Sequence, residues 1–188
     1  MIDDFAVMRA PRAILFGNGQ RRGLGRVARR IGSRAIICTD ARFAADGEMA
    51  VLRAALNEQG VTALVFDGTE AELPLTNIFA CLEAARPFAP DMVIGVGGGS
   101  CLDMAKVVSL MLVHDGPPDS FYGENRVPGP VLPVIAIPTT AGTGCEVTPV
   151  AVVGDCARAL KVGISSPYLI SAAPAPLLPT QSSIRWGL

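Results

Sequence analysis

The chain has 188 residues, half of them apolar and few aromatic, with 16 basic against 17 acidic side chains and a formal net charge of −1. That length can bury a sizeable core as one domain or slightly more, and the balanced charge excludes the basic face that nucleic-acid binding needs. No apolar run approaches the ~18 residues of a membrane span, and the acidic start Met1-Ile2-Asp3-Asp4 is unlike a signal peptide, so a cytoplasmic protein with no nucleic-acid or membrane partner is expected.

Short β-like runs alternate with helical patterns along the chain. Residues 12–16 read as a strand, followed by the turn Gly17-Asn18-Gly19 and a helix over 20–31 that Gly23 and Gly25 weaken. A strand over 35–38 ends at Thr39-Asp40, and a helix over 44–59 carries Met49, Leu52 and Leu56 on one face. A strand over 61–66 and a helix over 75–85, with Pro74 at its start, come next. The apolar run 92–96 is a buried-strand pattern that leads through Gly97-Gly98-Gly99-Ser100 into a helix over 101–113, whose Cys101, Met104, Ala105, Val108 and Leu112 form one stripe. A polar Pro/Gly-rich loop over 114–130 precedes a strand over 134–137. Residues 150–153 and 160–164 read as an antiparallel hairpin around a turn at 155–158. Alternating strands and helices predict an α/β fold, a doubly wound, Rossmann-like parallel sheet with a β-hairpin near its C-terminal end.

Ligands of such sheets bind beyond the carboxyl ends of the strands. Three loops fall there: Asp40, Gly97 to Ser100, and the stretch 138–144, which predicts one crevice lined by all three. Consecutive glycines let a ligand approach the backbone, and the helix that follows presents free N–H groups and the positive end of its dipole, which suits a phosphate. The same residues also read as a tight turn, with Ser100 as N-cap and Asp103 in the capping-box place; the G-x-x-x-x-G-K-[ST] spacing of a P-loop is missing. The stretch Pro138-Thr139-Thr140-Ala141-Gly142-Thr143-Gly144-Cys145-Glu146-Val147-Thr148-Pro149 offers hydroxyl donors among small residues. It reads either as an anion- or sugar-binding loop or as a structural turn.

The cysteines Cys38, Cys81, Cys101, Cys145 and Cys156 are odd in number and widely spaced, without a C-x-x-C pair, which predicts reduced, mostly buried thiols. The single histidine, His114, reads as a solvated helix-end residue that complements the dipole, with a catalytic role as the alternative.

Taken together, G-G-G-S-x-x-D-x-A-K and, some thirty residues later, P-T-T-A-G-T-G-x-E-V-T-P resemble the iron-containing (group III) alcohol dehydrogenase family. The resemblance runs over about residues 10–169, taking in Phe16-Gly17, Thr39-Asp40, Asp155 and Lys161-Val162-Gly163-Ile164-Ser165-Ser166-Pro167. It implies an N-terminal dinucleotide-binding domain, here 1–169, that holds NAD. It also implies an all-helical domain that holds a divalent metal, Fe2+ or Zn2+, and a small alcohol or aldehyde. By the resemblance Gly97, Gly98, Gly99 and Ser100 form the pyrophosphate turn with Asp103 beside it. Thr139, Thr140, Thr143 and Thr148 lie on the nicotinamide side, and Lys161 contacts the cofactor ribose. Asp40 matches the acidic residue near the adenosine ribose, where a carboxylate favours NAD over NADP; a loop or helix cap is the alternative.

The sequence departs from the family at Cys101, at Cys145, which reads as a packing residue and not a nucleophile, and at Glu72-Leu73-Pro74, where an adenine-side contact is in doubt. Residues 170–188 are Ala/Pro/Ser-rich without periodicity, an irregular tail in place of the metal-binding helical domain. The expectation is a truncated or frame-shifted product that binds NAD weakly, has no turnover alone, and associates, as a homo-oligomer or otherwise, through its bared face. Maleylacetate reductase or a polyol dehydrogenase of the same superfamily is the alternative within the class, and a non-catalytic nucleotide-binding fragment the alternative outside it.

Overall fold

A computed structural model describes residues 10–17, 19–155 and 160–171. Among these are seven strands: β1 (Arg34–Cys38), β2 (Thr62–Phe66), β3 (Met92–Gly97), β4 (Gly123–Glu124), β5 (Val134–Pro138), β6 (Val150–Asp155) and β7 (Leu160–Ser165). The α-helices are α1 (Leu24–Arg29), α2 (Ala41–Ala44), α3 (Gly47–Glu58), α4 (Leu75–Phe88) and α5 (Gly99–Met111). Four strands form a parallel sheet in the order β2-β1-β3-β5. The chain therefore steps outward from β1 to β2 and then returns to the other side of β1 with β3.

Strand residues alternate between two cores because successive side chains point to opposite faces. Ile36, Cys38 and Val93 join α4 and α5 through Ile78, Leu82, Met104 and Val108. Ala35, Ile37, Ile94 and Val96 join α1 and α3 through Leu24, Met49, Leu52 and Leu56. A sheet covered on both faces explains the near-continuous apolar strands, and the doubly wound reading stands.

The hairpin also forms. β6 and β7 pair antiparallel from Val150 with Ser165 to Asp155 with Leu160, and β4 adds parallel to β7. Its Ala151, Val153 and Ile164 enter the core shared with α4 and α5, so the hairpin is fixed against the sheet domain. The turn at 156–158 and the tail from 172 onward lie outside the described residues. Ile170 and Ser171 are described, and Ser171 is buried.

Four details differ from the sequence reading. Residues 12–16 are not a strand: they have no ladder partner in the described sheets, and Ile14 and Phe16 are exposed. The helix read over 20–31 begins as a 3-10 turn, Gln20–Gly23, before α1. The helix read over 44–59 is α3, starting later at Gly47 because Asp46 caps it by accepting the Glu48 N–H at 3.0 Å, and the short α2, which the sequence reading did not separate, precedes it. His114 stands at the end of α5, its N–H donating to the Leu110 carbonyl at 3.0 Å, but it is half-buried, and its Nε2 lies 2.9 Å from the Pro130 carbonyl, joining the two ends of the 114–130 loop.

Candidate cofactor-binding site

The strand order reverses between β1 and β3, so the loops that follow these two strands diverge and leave a crevice between them. At the β3 end Gly97 has φ +145°, and a Cβ there would stand 2.5 Å from Cys101 Sγ; only glycine makes this turn without displacing the helix start. The Gly97 carbonyl accepts the Thr139 N–H at 2.9 Å, which holds the threonine loop after β5 against the glycine turn.

Helix α5 begins at Gly99 with Gly98 in the cap position, extended at φ −76° and ψ −173° and without a side-chain cap. Ser100 is therefore not the N-cap, and Asp103 does not close a capping box. The chain has entered the helix two residues early: the Gly98 carbonyl already accepts the N–H groups of Cys101 and Leu102, at 3.1 and 3.2 Å. The helix offers the Gly99 and Ser100 amides no acceptor of its own. They stand at the positive end of a helix of 13 residues.

These amides border an open cleft of about 490 Å³, lined also by Asp40, Arg42, Thr69, Thr139 and Thr140. All three predicted loops contribute to it. Asp40 caps α2, its Oδ1 accepting the Phe43 N–H at 3.0 Å, and it also lines the cleft. Its Oδ2 lies 3.9 Å from Cys101 Sγ. Burial, and then the Asp40 charge, pushes the Cys101 thiol up to about 12, so it stays protonated at neutral pH.

On the other side of Gly99 and Ser100 a smaller hollow of about 260 Å³ is lined by Glu72, Asp103, Val152 and Lys161. Lys161 and Glu72, both well exposed, form an ion pair across its mouth. Glu72 and Leu73 have positive φ, and the Leu73 carbonyl accepts the Gly154 N–H at 2.9 Å, so the Glu72 turn is attached to the hairpin that carries Lys161. Asp103 is buried and its Oδ2 accepts the Val152 N–H at 3.1 Å. Burial raises the Asp103 carboxyl, against the opposing effects of the Val152 N–H and the Lys106 charge.

The threonines divide. Thr139 and Thr140 line the larger cleft, whereas Thr143 lies over the glycine turn: a Cβ on Gly99 would stand 3.3 Å from Thr143 Cγ2 and 3.3 Å from Cys145 Sγ. Cys145 is thus a packing residue against the turn, and burial, followed by the nearby Asp103 charge, raises its thiol. Thr148 stands farther along, and its carbonyl accepts from Lys106 Nζ at 2.9 Å.

Lys106 is the residue that periodicity did not assign a part. It is fully buried, with Nζ also donating to the Val150 carbonyl at 2.7 Å and standing 4.0 Å from Asp103 Oδ1. The available signal was the spacing of Asp103, Lys106 and Ser109, three polar residues on one stripe of a helix that is otherwise apolar.

A family model for iron-containing alcohol dehydrogenase matches residues 11–173. The chain belongs to the iron-containing alcohol dehydrogenase family. It is 40% identical over 138 residues to the sulfoacetaldehyde reductase of Bilophila wadsworthia (strain 3_1_6), covering 73% of this chain and 36% of that protein. To the NAD-dependent methanol dehydrogenase of Bacillus methanolicus it is 32% identical over 179 residues, covering 89% and 47%. The chain therefore spans less than half the length of these curated relatives. Among solved structures, a sulfoacetaldehyde reductase from Bifidobacterium kashiwanohense in complex with NAD+ superposes with TM-score 0.78 at 29% identity, covering 95% of this chain and 46% of that one. A 1,3-propanediol oxidoreductase superposes with TM-score 0.85 at 28% identity, covering 89% and 44%.

Among the described residues no helix is long and apolar enough to cross a membrane. Nor do three or more His, Cys, Asp or Glu side chains among them stand together as a metal centre. The described residues thus do not fit the metal that the family name implies.

Proposed function

We propose that residues 1–169 are the NAD-binding part of an oxidoreductase acting on a small alcohol or aldehyde. The observation that carries this reading is the meeting of three loops at the sheet's switch point, with the Gly99 and Ser100 amides open to the cleft and Asp40 on its opposite wall. The lack of side chains at Gly98 and Gly99 lets the threonine loop close onto the turn: a Cβ at Gly98 would stand 3.5 Å from Thr140 Oγ1, and one at Gly99 3.3 Å from Thr143 Cγ2.

In this reading the pyrophosphate accepts from the Gly99 and Ser100 amides, favoured by the helix dipole. Asp40 Oδ2, which the Cys101 thiol reaches at 3.9 Å, also accepts from a ribose hydroxyl, and the Asp40 charge opposes a 2′-phosphate, so NAD is preferred to NADP. Thr139, Thr140, Thr143 and Thr148 border the nicotinamide side, and Lys161 turns from Glu72 toward the second ribose. Bound NAD supplies a hydride acceptor. The chain's own residues orient it and keep its charge paired.

Calorimetric titration of the chain with NAD tests this. Saturable binding that weakens in Ser100→Pro, which removes one of the two open amides, supports the reading, and absence of binding refutes it. The relatives named for NAD-dependent methanol dehydrogenase and for sulfoacetaldehyde reductase favour a short-chain alcohol or aldehyde as the class of substrate.

A further inference from the structure

A lysine with no exposed surface is costly unless its ammonium is fully paired. Lys106 meets that condition through two backbone carbonyls, Thr148 at 2.9 Å and Val150 at 2.7 Å, with the Asp103 carboxylate at 4.0 Å. The two carbonyls flank Pro149, which has no N–H of its own to fasten the chain there. One helical turn closer to the glycine turn, Asp103 takes the Val152 N–H at 3.1 Å. Residues 148, 150 and 152 are thus held in succession by one helix whose other end presents Gly99 and Ser100.

β6 is the edge strand of its sheet, and this is its open edge. Lys106 fixes where the threonine loop ends relative to where α5 begins. Asp40, by contrast, follows β1, caps α2, and meets α5 only at its first turn, through the Cys101 thiol at 3.9 Å.

Resting on the NAD reading above, we propose that Lys106 is a positioning residue: it holds the Thr143 to Thr148 arm over the glycine turn, and so sets the nicotinamide half of the cofactor site without setting the adenosine half. NAD and ADP share the pyrophosphate at the glycine turn, but only NAD has a nicotinamide half beside the threonines, so loss of Lys106 is felt more by NAD than by ADP.

The experiment measures dissociation constants for NAD and ADP by calorimetry with the full chain as wild type, Lys106→Met and Lys106→Gln, each checked by thermal unfolding. Methionine keeps the length and apolar stem but has no donor, whereas glutamine keeps an amide donor. The expected result is tighter binding of NAD than ADP by the wild type, and a loss of about tenfold in NAD affinity in Lys106→Met with ADP affinity within about twofold. Lys106→Gln is expected to recover part of the difference.

NAD and ADP affinities that change in parallel, or not at all, overturn the inference. So does a wild type that binds the two equally, because the nicotinamide side then makes no contact to position; that outcome leaves the cofactor reading standing. A wild type that binds neither ligand overturns the cofactor reading itself and this inference with it. If Lys106→Met does not fold, the NAD-to-ADP ratio of Lys106→Gln decides, an unchanged ratio counting against the inference.

Discussion

The Asp103 carboxylate accepts the Val152 N–H at 3.1 Å, so a helix side chain completes the open edge of β6. The neighbouring groups on that edge are paired in the same manner, Val150 O by Lys106 and Gly154 N–H by the Leu73 carbonyl. An edge closed this way offers no template for another strand.

The Asp103 contact has a pH signature. Burial raises this carboxyl above its ordinary 3.8, so the folded chain binds more protons there than the unfolded chain as pH rises. Its contribution to stability is complete below 3.8 and is lost as pH rises through the folded value. Asp103→Asn has no such titration. Urea midpoints measured over a pH series are therefore expected to show the wild type losing ground to Asp103→Asn from 3.8 upward and then levelling off. A difference that grows in the wild type's favour with pH contradicts the assignment.

Gly97→Ala is expected to destabilise the protein by about 2 kcal/mol or more, because it combines a left-handed backbone position with overpacking. The φ of +145° and the 2.5 Å approach to Cys101 Sγ are the cause. A thermal midpoint within a degree or so of wild type would remove the steric account of this turn.

Asp40 has two jobs that substitution separates. Asp40→Ser retains a side-chain acceptor for the Phe43 N–H and removes the charge, whereas Asp40→Ala removes both. Alanine is expected to cost about 1 kcal/mol of stability and serine less. Both are expected to shift binding preference from NAD toward NADP. Unchanged preference in both variants would leave Asp40 as a cap only.

Glu72 pairs with Lys161 beside the smaller hollow, so in the proposed cofactor site it would draw Lys161 away from the ribose. An exposed pair of this kind is worth little by itself, but its carboxylate also repels phosphate. Glu72→Gln is expected to tighten NAD binding by about two- to threefold at low salt, the gain disappearing at high salt. Weaker binding in this variant would mean that Glu72 holds Lys161 in its productive place.

Much of this architecture was legible in the sequence because its signals are local. β3 was readable as an apolar run ending in glycines, and α5 as a stripe from Cys101 to Leu112. The hairpin was readable as two β-like runs around a turn. Residues 12–16 have the composition of a strand, yet a strand exists only with a partner, and pairing is not a local property. Ser100 looked like a cap because residue type suggests caps, but the backbone entered the helix at Gly98, two positions earlier.

In the site, spacing brought Asp40, Ser100 and Thr140 to one cleft. It did not reveal that Lys106 is buried on the hairpin side: a lysine in a helix ordinarily marks the solvated face, and here β6 covers that face.

Calorimetric titration of wild type and Gly99→Val with NAD tests whether the glycine turn and the threonine loop together hold a dinucleotide. Valine would push Thr143 and Cys145 off the turn, because a Cβ alone already stands at 3.3 Å from each. Saturable one-to-one binding by the wild type and a loss of about tenfold or more in affinity in a folded Gly99→Val are expected. Equal affinity in the two proteins, or no binding by the wild type, would contradict a dinucleotide site there.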